Sequence, residues 1–134
     1  MVGRTKEGKE ICFTQGDIRE LQLAKAAVRA GIEVLLKRFG VTEEQVENVY
    51  VAGGFGYNLN TEKAIAIGMF PESFREKIMA VGNSCIAGIR RYLLAEESET
   101  AVLGLRNRAE EINLAMDAEF QNRFIDAMLF GKEN

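Results

Sequence analysis

Val49-Tyr50-Val51-Ala52-Gly53-Gly54-Phe55-Gly56 is the stretch on which the fold turns. Four apolar, β-branched or aromatic positions follow Asn48 without a break, and such a run predicts a buried strand. It passes directly into three glycines within four positions. Glycine lets a chain turn through positive φ and lets backbone lie close to a ligand. The design recurs downstream. Ile78-Met79-Ala80-Val81 predicts a second apolar strand, closed by Gly82-Asn83 and followed by a helix from Ser84 to about residue 96, in which Ala87 and Gly88 permit close packing. Two strand–glycine–helix units imply an α/β fold with a small, partly parallel sheet. Ligands of such sheets sit beyond the carboxyl ends of the strands, where amides entering the next helix favour anions. A nucleotide is the natural candidate. Neither turn is a dinucleotide fingerprint, since Leu59 stands where its third glycine belongs, and no Walker A loop occurs. On spacing alone, a tight structural turn and a ligand loop both remain open.

Upstream of this stretch the spacing predicts a long helix over residues 14–39. Thr14 is an N-cap with Asp17 three residues on. Ile18, Leu21, Val28, Ile32 and Leu35 recur at helical steps, and Gly40 supplies the stop. Residues 1–13 read as a leader or frayed start, with a short strand at residues 10–13. Thr42-Glu43-Glu44-Gln45 carries the capping pattern of a short helix. Downstream, Asn60 or Thr61 caps a helix ended by Gly68, and Pro71 opens a further helical turn. Glu96-Glu97-Ser98-Glu99 reads as a solvated turn with Ser98 capping a helix to about residue 111. Ile112-Asn113-Leu114 is expected to be a brief strand, and Asp117 to cap a last helix bearing Phe120, Phe124, Ile125, Met128 and Leu129. No repeat or linker interrupts residues 14–134, which read as one unit.

Composition narrows the chemistry. The 134 residues are 47% hydrophobic and 28% charged, ordinary for a globular domain. There is no histidine, which removes histidine relays, Ser-His-Asp and Cys-His nucleophile pairs, and most catalytic zinc sites. Two cysteines, Cys12 and Cys85, cannot form a four-ligand metal centre by themselves. Both are expected to be small packing residues. A net charge of −3 argues against a nucleic-acid partner. No run approaches the roughly 20 apolar residues that span a bilayer, and no signal segment opens the chain. A cytoplasmic protein with no membrane partner is expected. No carboxylate pair is brought into a defined geometry, so no catalytic residue is assigned, and no metal ligand.

The glycine stretch resembles the adenosine motif of the actin, heat-shock chaperone and sugar-kinase superfamily, in which Gly-Gly follows an apolar strand. Asn60-Thr61-Glu62-Lys63-Ala64-Ile65-Ala66-Ile67-Gly68 resembles the stretch that follows this motif in the chaperone-like members. Asp17-Ile18-Arg19-Glu20-Leu21-Gln22-Leu23-Ala24-Lys25, Val81-Gly82-Asn83 and Glu119-Phe120-Gln121 narrow the match. Together they resemble the C-terminal domain of ferredoxin-like reductive activators of corrinoid proteins, over about residues 14–130. The resemblance implies one actin-like, ribonuclease H-like lobe: a small mixed sheet flanked by long helices. It implies the adenosine side of an ATP and magnesium site, in a family that uses ATP and a 2Fe–2S domain to help reduce Co(II) corrinoid to Co(I). The iron–sulfur ligands and the first ATPase lobe have no counterpart in this sequence. The lobe alone is therefore expected to be inactive, with the other lobe and a corrinoid protein as partners.

On this reading Gly53, Gly54 and Gly56 lie against the adenosine, Phe55 packs on the purine or in the core, and Gln22, Lys25 and Arg29 share one helical face that lends polar side chains. Asn83 reaches the nucleotide or caps its helix. Two other classes stay in view: a non-catalytic interaction or dimerisation module, and the lobe of a dehydratase activase or hydantoinase-like ATPase.

Overall fold

In the computed structural model of the protein the described residues are 3–95 and 98–130, without the side chains of Phe55 and Tyr57. The expected solvated turn at Glu96 and Glu97, and the purine or core contact of Phe55, therefore lie outside the described residues. The chain begins with a small antiparallel hairpin, β1 (Gly3–Arg4) with β2 (Glu10–Ile11), where a frayed leader is expected. The long helix α1 (Gln15–Phe39) follows. Thr14 and Asp17 close a reciprocal capping box: the Asp17 amide donates to Thr14 Oγ1 and the Thr14 amide donates to Asp17 Oδ2. Gly40 ends the helix at φ 75°, a conformation that favours glycine.

β3 (Val49–Ala52) and β4 (Ile78–Gly82) form the second sheet, a parallel pair. Between them come two one-turn helices, α2 (Gly53–Asn58) and α3 (Thr61–Ala66), then a 3-10 turn at Glu72–Phe74 behind Pro71. Asn60 caps α3 by accepting from the Lys63 amide at 2.9 Å. The core is built here. Ala64, Ile65, Met69 and Phe70 are buried together, with Ile32, Val51, Leu59, Ile67 and Ile78 packed against them. After β4 come α4 (Ser84–Leu94), α5 (Ser98–Arg106) and α6 (Ala118–Ala127). Asp117 caps α6, accepting from the Glu119 and Phe120 amides. The class is thus mixed α/β, with small sheets and one long helix, as expected.

Several local expectations are corrected. β3 is not a buried strand: Val49 and Val51 turn inward, whereas Tyr50 is 63% exposed, because helices cover one face of a two-stranded sheet and leave the other open. The apolar stripe of α1 also rotates. Val28 and Leu35 are 39% and 48% exposed, and the buried apolar side chains are Ala26, Ala30 and Val34. These short side chains let α6 approach, and a Cβ at Gly31 would meet Leu114 at 3.6 Å. Residues 42–45 make a turn and not a helix, although Gln45 does accept from the Thr42 amide at 2.8 Å. Too few residues separate it from β3 for a helix to propagate. α5 stops at Arg106, and residues 112–114 form no strand but lead into a 3-10 turn at Leu114–Met116. Cys12 and Cys85 are both exposed, not packed.

Candidate functional site

The two strand–glycine–helix units come to one edge. Parallel pairing sets Val49 beside Ile78, Tyr50 beside Met79 and Val51 beside Ala80, and a register shift then sets Ala52 beside Gly82. Both strands therefore end together, and both chains turn there on left-handed glycines, Gly53 at φ 87° and Gly82 at φ 63°. A Cβ placed on Gly53, Gly54 or Gly82 would meet nothing within 4 Å. Open space thus lies directly against backbone at the carboxyl edge of the sheet, the position at which α/β sheets take ligands. Gly82, which the sequence reading gives as a strand stop, thereby becomes a candidate for the same edge. Its signal was present: it holds the same place after β4 that Gly53 holds after β3.

The remaining glycine behaves differently. Gly56 is buried, and a Cβ there would sit 2.6 Å from Val51 Cγ1 and 3.1 Å from the Val51 carbonyl. Its bareness seats α2 on β3. The expected glycine turn is accordingly a helical one, with α2 starting at Gly53 itself. Asn83 caps α4, its Oδ1 accepting from the Ile86 amide at 3.1 Å.

The three polar residues of α1 have protein partners. Gln22 Nε2 donates to the Met128 carbonyl at 3.1 Å. Lys25 Nζ donates to the Leu129 carbonyl at 2.6 Å and lies 5.1 Å from the centre of the Phe130 ring. Burial, and then the neighbouring Arg29 guanidinium, hold the Lys25 ammonium below the usual lysine range. Arg29 bonds Glu33 and Glu43 at 2.5 and 3.1 Å. Arg123 of α6 takes the other oxygen of Glu33 at 2.5 Å. Burial works against ionisation of Glu33, but the hydrogen bonds from Arg29 and Arg123 prevail and lower its pKa. These long-range pairs carry no local signal in the sequence.

Among the described residues, no three Cys, Asp or Glu side chains converge in a way that could hold a metal ion. A 2Fe–2S cluster takes four ligands, and the two exposed cysteines of this chain do not meet that requirement. No helix of the described residues is long and apolar enough to cross a membrane.

Comparison with known proteins bears on the family and the fold. A family described as the C-terminal domain of RACo, the ASKHA domain, matches residues 1–134. The corrinoid activation enzyme RamQ of Eubacterium limosum is 32% identical over 129 residues, which is 96% of this chain and 22% of that protein. The [Co(II) methylated amine-specific corrinoid protein] reductase of Methanosarcina barkeri is 26% identical over 125 residues, covering 92% of this chain and 23% of the reductase. A solved reductive activator for corrinoid, iron–sulfur protein superposes with a TM-score of 0.79 at 33% identity, over 92% of this chain and 20% of the activator. The chain spans about a fifth of the length of each of these relatives.

Proposed function

Because the chain belongs to the family of the RACo C-terminal ASKHA domain, we propose that its paired glycine turns form the adenosine side of an ATP site in an ATP-dependent reductive activator of corrinoid proteins. The observation that carries this reading is the pairing of Ala52 with Gly82, which brings Gly53, Gly54 and the Gly82-Asn83 turn to one open edge. A planar base and ribose need backbone without side chains, and the three glycines offer it. Bound there, ATP with magnesium would supply binding energy that differs between open and closed lobes, which is how a nucleotide shifts a conformational equilibrium. Gly53 and Gly54 would lie against the nucleotide. Asn83 would hold the second turn by capping α4. Gly56 would keep α2 seated. Gln22, Lys25 and Arg29, which the resemblance would give to the nucleotide, hold protein partners instead, and the proposed site does not use them.

The rest of the reading follows the relatives. They are named as corrinoid activation enzymes and reductases, which supports a corrinoid protein as the partner of the whole protein. A 2Fe–2S ferredoxin domain and the other ATPase lobe belong to polypeptide outside these 134 residues. This lobe binds nucleotide without hydrolysing it. Two exposed, unbridged cysteines suit the reducing cytoplasm.

Calorimetric titration of ATP and ADP into the chain, repeated with Gly54→Val, tests the site. Weak binding is expected, lost in the variant at unchanged melting temperature, because a side chain at Gly54 enters open space and not the core. Equal binding by both proteins would overturn the placement. A specific observation favours a second reading, that of an interaction module: α4 has no buried residue, and Ile86, Ile89 and Leu93 are exposed along it.

A further inference from the structure

Lys25 is 2% exposed, yet among the described residues no carboxylate pairs with it. A buried ammonium left in that condition is costly, so something else must compensate it. Three groups do. The Leu129 carbonyl, just past the end of α6, accepts from Nζ at 2.6 Å, and the Phe130 ring lies 5.1 Å from it. Gly68, which closes α3 at φ 78°, presents its bare Cα, where a Cβ would stand 3.5 Å from Nζ. The ammonium therefore sits where α3 and α6 both end, and helix C-termini carry partial negative charge. Gln22, one turn earlier, adds a second bond to the same segment through the Met128 carbonyl. The charged group acting on Lys25 from its own helix is Arg29, itself held by Glu33 and Glu43.

We propose that Lys25 is a joint that ties residues 128–130 to the end of α3, so that movement of the β3–α2–α3 unit is passed to α6. The path is contiguous: Gly53 opens α2, α3 follows after Leu59 and Asn60, Gly68 closes it against the ammonium, and the ammonium holds the segment after α6. Such a joint makes occupation of the glycine turns felt at the end of α6. That use of the joint rests on the nucleotide reading; the joint itself does not.

Hydrogen exchange with mass spectrometry on the 134-residue chain tests both, using peptides from residues 61–70, 118–130 and 78–95. Phe130→Leu alters a half-exposed side chain and removes the ring from the ammonium. Exchange is expected to rise about two- to fivefold in residues 118–130, the change suited to losing one cation–π contact. It should rise measurably in residues 61–70 and stay level in residues 78–95. Lys25→Met should repeat the pattern more strongly. A change confined to residues 118–130 would make Lys25 a simple helix-end anchor and overturn the joint, as would an equal rise in all three peptides. Adding ATP should alter protection in residues 118–130 of the wild-type protein and not of Lys25→Met. If calorimetry shows ATP bound and residues 118–130 do not respond, transmission fails while the nucleotide reading stands. If ATP does not bind at all, the nucleotide reading fails and the Phe130→Leu comparison still decides the joint.

Discussion

Gly54 and Gly56 stand two positions apart in one motif and do opposite work. Gly54 faces open space, whereas Gly56 is pressed against Val51. Replacing each with alanine separates ligand approach from packing. Gly56→Ala puts a methyl group 2.6 Å from Val51 Cγ1, and overpacking of that kind costs about 1–3 kcal/mol. Gly54→Ala has no such neighbour and should stay within about 0.5 kcal/mol of the parent. Urea midpoints of the two variants measure this, and coincident midpoints would mean that α2 is not seated as described. The sequence reads Gly-Gly-Phe-Gly as one motif. Which glycine serves the fold depends on where the Val51 side chain lies, and no spacing rule contains that.

At the scale of elements, α1 and α6 are joined by an ion network as well as by short side chains. Glu33 of α1 takes Arg29 on one oxygen and Arg123 of α6 on the other, while Lys37 and Arg38 reach Glu119 and Asp117 at 2.7 and 2.8 Å. The Glu33 carboxyl titrates below its ordinary value of 4.5. Folding therefore gains stability from Glu33 that is complete above that value. The gain is lost progressively as pH falls from there through the lowered folded-state value. Asp17, Asp117 and Glu119 are lowered too and share this acid window. Glu33→Gln should accordingly flatten part, not all, of the fall in thermal midpoint between neutral pH and pH of about 3. An unchanged acid limb would place the α1–α6 coupling in packing alone. Three helix starts were legible because capping is local: Thr14, Asn60 and Asp117 cap where the sequence puts caps. The face of α1 was not legible. Val28 and Leu35 fit the helical period as well as Ala26, Ala30 and Val34 do, and only the partner chosen by the fold separates them.

For the whole molecule the decisive feature is an open side. Tyr50, Met79 and Val81 stand exposed on the sheet, and α4 and α5 bury none of their residues. A two-stranded parallel sheet is normally covered on both faces, and apolar surface of this extent drives association. The chain is expected to self-associate at high concentration, and Ile89→Lys with Leu93→Glu should shift sedimentation toward monomer without loss of helical signal. Sedimentation independent of concentration in the parent protein would refute this. The sequence by itself determined the order of the main elements, their caps, and the twin strand–glycine–helix design, because these rest on contacts within a few residues. Only the tertiary structure decided that Ala52 and Gly82 end side by side and that Glu33 bridges two helices. It likewise decided that Lys25 lies buried between helix ends. Each of these depends on residues far apart in the chain, whose meeting is set by packing and strand register and leaves no trace in local spacing.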